Sequence, residues 1–146
     1  MAHAVLTRVQ VPGQYIEKDV HLIARRPVLR IDEFGTLGQI SYNNNDRAPF
    51  HLPEPEMTEF YRALSIFERL IRDPQLQFCF QLTPGNLVLF DNWRLLHGRE
   101  AYQGTRKMLG CYLNHEDFES RLRTIVSRPY PNVTYRGKNF FVARYV

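Results

Sequence analysis

The chain has 146 residues, 44% hydrophobic and 13% aromatic, with a net charge of +4. This suits one domain with a real core and excludes a disordered or low-complexity chain. The basic excess is scattered rather than run together, so no nucleic-acid partner is expected, and no apolar run is long enough to predict a membrane span.

Cys79 and Cys111 stand in separate apolar runs with no Cys-x-x-Cys pair, which argues against a zinc site or a disulfide framework. Both read as small buried thiols. No secretory pattern opens at Met1, so the expected location is intracellular, mitochondrial or cytoplasmic.

In chain order, "HLIARRPVLRID" is a β-leaning run broken at Pro27, followed by the turn-prone "DEFGTLGQ". "GQISYN", residues 38 to 43, reads as a short strand entering a polar loop over 44–47. The clearest helix follows. Glu54, Pro55 and Glu56 supply first-turn acidity and a helix-starting proline. Met57, Phe60, Tyr61, Leu64, Phe67 and Ile71 then recur at helical spacing, a stripe best explained by core packing, and Asp73-Pro74 stops the element.

Strand patterns come next. "LQFCFQL" leads through the turn Thr83-Pro84-Gly85 into "NLVLF", and "RKMLGCYLN" forms another run before the polar helix start "NHEDFESRLR". Strands, one helix, then paired strands predict a mostly-β α+β domain.

Two residues in this last part carry chemistry. Alternation puts Arg106, Met108, Gly110 and Tyr112 on one face of a strand that is apolar on both faces and therefore expected to be buried. A buried guanidinium needs an anion, either a protein carboxylate such as Asp91 or Glu100 or the carboxylate of a ligand. His97 ends an apolar stretch and precedes Gly98, a position that suits a packed ring or a metal ligand. Histidine at a strand end with an arginine shortly after is the pattern of a non-haem iron site that uses an α-keto acid.

Pro84-Gly85, "FDNWRLLHGRE" and "GTRKMLGCYL" resemble the C-terminal half of the taurine dioxygenase-like iron(II)/2-oxoglutarate oxygenases. Within that family the likeness is to the carnitine-biosynthesis branch. "HGRE", the short histidine-to-arginine interval and "GCYL" lie closer to its trimethyllysine-hydroxylating members than to its γ-butyrobetaine-hydroxylating ones. "QYIE", "RPVLRID" and "YNNNDRA" extend the likeness over roughly Leu6 to Arg123.

The resemblance implies a fold, a reaction and a set of sites. The fold is the C-terminal portion of a double-stranded β-helix, or jelly-roll, with one packed helix. Residues 1–123 are a partial catalytic domain lacking its N-terminal strands, and 124–146 are a divergent tail. The family's Fe(II) and O₂, with ascorbate as reductant, oxidise 2-oxoglutarate to succinate and CO₂ while hydroxylating a small trimethyllysine-like substrate. Position by position, His97 becomes a metal ligand and Arg106 the partner of the far carboxylate of 2-oxoglutarate, while Asn43 and Tyr112 contact substrate. For Asn44 and Asn45 an asparagine-rich turn is preferred.

The rest of the metal site is not found. The family's His-x-Asp pair is expected upstream of Met1, and in His115-Glu116-Asp117 the aspartate is better explained as helix-start acidity. The expectation is therefore an oxygenase piece inactive by itself. Its rival is a non-catalytic remnant that binds a partner, such as a full-length relative or its own copy, through an exposed half-barrel edge.

Overall fold

The computed structural model describes residues 1–126. The described residues divide into two compact units, the first over Met1–His97 and the second over residues 98–126.

The first unit is built on the expected helix, α2, which spans Glu54–Ile71. Pro55 lies in its first turn beside Glu54 and Glu56, and Arg69 lies in its last, charges that complement the helix dipole. Its apolar stripe buries Phe60, Ala63 and Leu64. They meet Leu6, Val9 and Val28 in the core, with Phe50 and Phe67 partly buried around them. Leu6 comes from a helix that the sequence patterns do not announce, α1 over Ala2–Arg8. Arg8 pairs with Glu56 at 3.0 Å across the two helices. Both groups are solvent-exposed, so the pair contributes little beside the apolar contact.

Two antiparallel hairpins complete this unit. Strand β1 (Val11–Glu17) pairs with β2 (Val20–Arg26), and β3 (Leu29–Ile31) pairs with β4 (Leu37–Ile40). The first turns through Lys18, which has a positive φ of 47°. Pro27 separates β2 from β3 where the sequence places the break, since proline cannot donate to a ladder. In the second turn the Asp32 carboxylate accepts from the Phe34 and Thr36 amides at 3.0 and 2.7 Å. Gly35 supplies the left-handed φ of 77°.

The expected strands after α2 do not form ladders among the described residues. Residues 77–82, 86–90 and 106–114 belong to no strand, although the turn at Gly85 is present. A strand is held by pairing of its backbone groups, and among the described residues no ladder joins these runs to another. Their apolar side chains are correspondingly uncovered: Leu109 is 91% exposed and Tyr112 90%. Three expectations change with them. Cys79 and Cys111 are exposed thiols, and the Arg106 run is not a buried strand. The observed architecture is α+β with short antiparallel strands and three α-helices among the described residues. The third, α3 (His115–Val126), carries Glu116 and Asp117 in its first turn, as the sequence predicts for Asp117. From residue 127 the divergent tail lies outside the described residues.

Candidate functional site

The site-bearing stretch begins as a turn. The Asp91 carboxylate accepts from the Trp93 amide at 2.9 Å, and its carbonyl accepts from the Arg94 and Leu95 amides at 3.1 and 3.0 Å. This knot is fastened to the second hairpin. The Ile40 amide donates to the Trp93 carbonyl at 2.8 Å, the Arg94 guanidinium donates to the Leu37 carbonyl, and the Arg30 guanidinium lies 5.1 Å from the centre of the Trp93 ring. Asp91, Trp93 and Arg94 are thus the scaffold that fixes where the chain goes next.

It goes to His97. The imidazole is exposed and packs against Phe90, with ring centroids 4.7 Å apart and planes at 57°. Asn43 lies elsewhere in the same unit. Its amide nitrogen donates to Asp46 at 2.6 Å and its amide oxygen accepts from the Asn45 backbone at 3.0 Å. It lines a cavity of about 30 Å³ shared with Phe60 and Leu64 but not with His97. That is room for about one water.

Arg106 and Tyr112 belong to the second unit. The Arg106 guanidinium lies 5.8 Å from the centre of the Tyr102 ring and contacts the Met108 sulfur, the neighbour that alternation assigns to its face. Arg99 covers the same tyrosine at 5.2 Å. Within this unit, among the described residues, Arg106 pairs with no carboxylate. Glu100 is therefore not its anion.

One polar group was not anticipated. The Tyr42 hydroxyl donates to Glu68 on α2, and partial burial together with that carboxylate pushes the phenol up to about 12. Arg47, next to this pair in the loop, has a shielded guanidinium nitrogen. Only the packing of α2 against the loop reveals this.

A facial iron site needs two histidines and a carboxylate converging on one point. Among the described residues no group of three His, Cys, Asp or Glu side chains could hold a metal. The residues present therefore do not fit an iron centre by themselves. His115 faces Glu119 at 3.6 Å and Asp117 accepts from Asn114 at 3.2 Å, so the pair that spells His-x-Asp is engaged in starting α3.

Residues 2–112 match the family described as "Taurine catabolism dioxygenase TauD, TfdA family". The chain belongs to that family. Among curated relatives it is 36% identical over 126 residues to the trimethyllysine dioxygenase of Meyerozyma guilliermondii, covering 83% of this chain and 32% of the relative. It is 37% identical over 128 residues to the human mitochondrial trimethyllysine dioxygenase, covering 83% of this chain and 30% of the relative. Human gamma-butyrobetaine dioxygenase is 33% identical over 115 residues, covering 75% and 30%. The TauD-family chain thus spans less than a third of the length of each. No helix among its described residues is long and apolar enough to cross a membrane.

Proposed function

We propose that this chain carries the distal part of an iron(II)/2-oxoglutarate-dependent oxygenase site of the trimethyllysine-hydroxylating type. By this reading His97 is one metal ligand, Arg106 clamps the far carboxylate of 2-oxoglutarate, and Tyr112 and Asn43 face the substrate. The observation that carries it is the stretch from Asp91 to Arg106. It lies within the family match, its scaffold residues are bound to β3–β4, and its two chemistry-bearing residues have no competing ion pair among the described residues. The other metal ligands, a histidine and a carboxylate, come from polypeptide outside the described residues. So do the strands that cover 77–90 and 106–114 and complete a jelly-roll.

Trimethyllysine is the favoured substrate class because the match to trimethyllysine dioxygenases spans more of the chain than the match to the gamma-butyrobetaine enzyme. The compartment follows the mammalian relatives, whose names place them in mitochondria. A second reading rests on the exposed apolar residues of the same runs: the chain docks on a partner, a full-length relative or a second copy, without turning over substrate.

The test joins the chain to the upstream part of a full-length trimethyllysine dioxygenase. With iron(II), ascorbate, 2-oxoglutarate and trimethyllysine, the chimera releases succinate, whereas the chain alone does not. His97→Ala abolishes the release. Arg106→Lys raises the 2-oxoglutarate requirement, because a point charge replaces a two-pronged donor. An active chimera indifferent to His97→Ala would overturn the assignment.

A further inference from the structure

In the second unit Arg106 is held in a way that leaves its charge free. Gly104 has a positive φ of 89°, a conformation that glycine adopts without the Cβ penalty of other residues. A Cβ placed there would meet nothing within 4 Å, so it is the conformation rather than lack of room that calls for glycine. The bend at Gly104 brings Arg106 back over Tyr102, its guanidinium carbon 5.8 Å from the ring centre. Arg99, which precedes the tyrosine, lies 5.2 Å from the same ring. All three side chains belong to exposed residues, so a small solute has access to them.

A carboxylate that fixes an arginine also occupies its donors and neutralises it. A ring face fixes it differently: the attraction is between the cation and the π-system, and it consumes none of the five N–H donors. Among the described residues neither Arg99 nor Arg106 forms an ion pair. The Met108 sulfur that Arg106 contacts is only a weak acceptor. Two guanidiniums against one ring also raise the local positive charge, which suits an anion and turns away a cation. Arg106 is thus oriented without being neutralised.

We propose that Tyr102 is a positioning residue for Arg106: its ring face, reached through the Gly104 bend, orients the guanidinium in place of a carboxylate, so that a dicarboxylate meets preset and unoccupied donors. This rests on the assignment of Arg106 to 2-oxoglutarate above and deepens it by naming what holds that arginine. Alternation along 106–112 gives no hint of it, because Tyr102 lies outside that run.

The test is binding of 2-oxoglutarate to the 146-residue chain in metal-free, chelator-containing buffer, read at the Arg106 side chain by NMR, so iron does not enter. Before any ligand is added, the Arg106 side-chain protons carry an upfield ring-current shift that Tyr102→Phe retains and Tyr102→Leu loses. 2-Oxoglutarate then moves the Arg106 Nε resonance. The midpoint of that titration rises about two- to fivefold in Tyr102→Leu, the size of an exposed cation–π contact, and stays at the parental value in Tyr102→Phe. Gly104→Ala, which leaves the ring in place but disfavours the bend, raises it in the same direction. If Tyr102→Leu unfolds the chain, the ring-current shift in Tyr102→Phe and the midpoint in Gly104→Ala decide in its place. A parental midpoint in Tyr102→Leu, or an Arg106 resonance indifferent to 2-oxoglutarate, overturns the assignment. If a His97-dependent chimera turns over while Tyr102→Leu leaves the midpoint unchanged, this assignment fails and the oxygenase reading stands. If the chimera is inactive while the midpoint depends on Tyr102, the reverse holds.

Discussion

Residues 1–71 and 77–114 carry apolar side chains in comparable density but in opposite circumstances. In the first region Phe60 is 0% exposed because two helices and two hairpins meet around it. In the second, Phe78, Leu87, Leu109 and Tyr112 lie in extended runs and stay uncovered. The difference lies in pairing. A helix satisfies its own backbone and needs only one apolar face covered, so α2 with α1 makes a core from local sequence. A strand satisfies nothing until a neighbour arrives. The region that resembles an oxygenase site is the one without a ladder among the described residues.

The largest effect that sharpens this contrast is at Phe60. Phe60→Ala lowers unfolding stability by roughly 3–5 kcal/mol in urea denaturation, because the side chain has no solvent to relax into. Leu109→Ala, made in the same chain, shifts stability by no more than about 0.5 kcal/mol, as for a surface site. Equal losses at the two positions would show that 106–114 is packed after all.

A second, smaller effect appears at alkaline pH. The Tyr42 phenol is held above its ordinary range by burial and by Glu68, while Arg47 and Arg72 act the other way. The folded chain therefore keeps a proton that the unfolded chain has lost between pH 10 and about 12. Stability from this pair is full below pH 10 and falls as pH rises through that window. Tyr42→Phe flattens that part of the profile in thermal unfolding at stepped pH. A variant whose profile matches the parent would remove the pair from the account. Smallest of all, Glu56→Gln at the Arg8 pair changes stability by at most about 1 kcal/mol, and less in high salt.

What was legible follows the same division. Period and punctuation placed α2, its stop near Asp73, the break at Pro27 and the Asp32–Gly35 turn, because each is decided within a few residues. Helix α1 was missed: it is short, has no acidic residue in its first turn, and Met1 provides no side-chain cap. Strand β1 is not anticipated by the sequence patterns; it carries Pro12 and Gly13, residues unfavourable in a strand interior, and both sit within its pairing to β2. The runs between 76 and 114 read as strands from β-leaning composition, and the Arg106 run also from alternation, signals that record a preference or a face but not a partner. Of the candidate site, the Asp91–Arg94 scaffold was visible as a motif, and its attachment to β4 came only from the fold. Arg47 and the Tyr42–Glu68 pair were invisible, since α2 reaches them from a distant part of the chain.

Amide hydrogen exchange on the dilute chain and on the chimera tests the central contrast most directly. In the chain alone, amides of α2 are protected, while those of 77–82, 86–90 and 106–114 exchange nearly as fast as in an unstructured peptide. In the chimera the same three runs become protected, because ladder partners have arrived. Protection of those runs in the dilute chain, at the level of α2, would mean that they pair within the chain itself, and the account of a site awaiting its strands would be wrong.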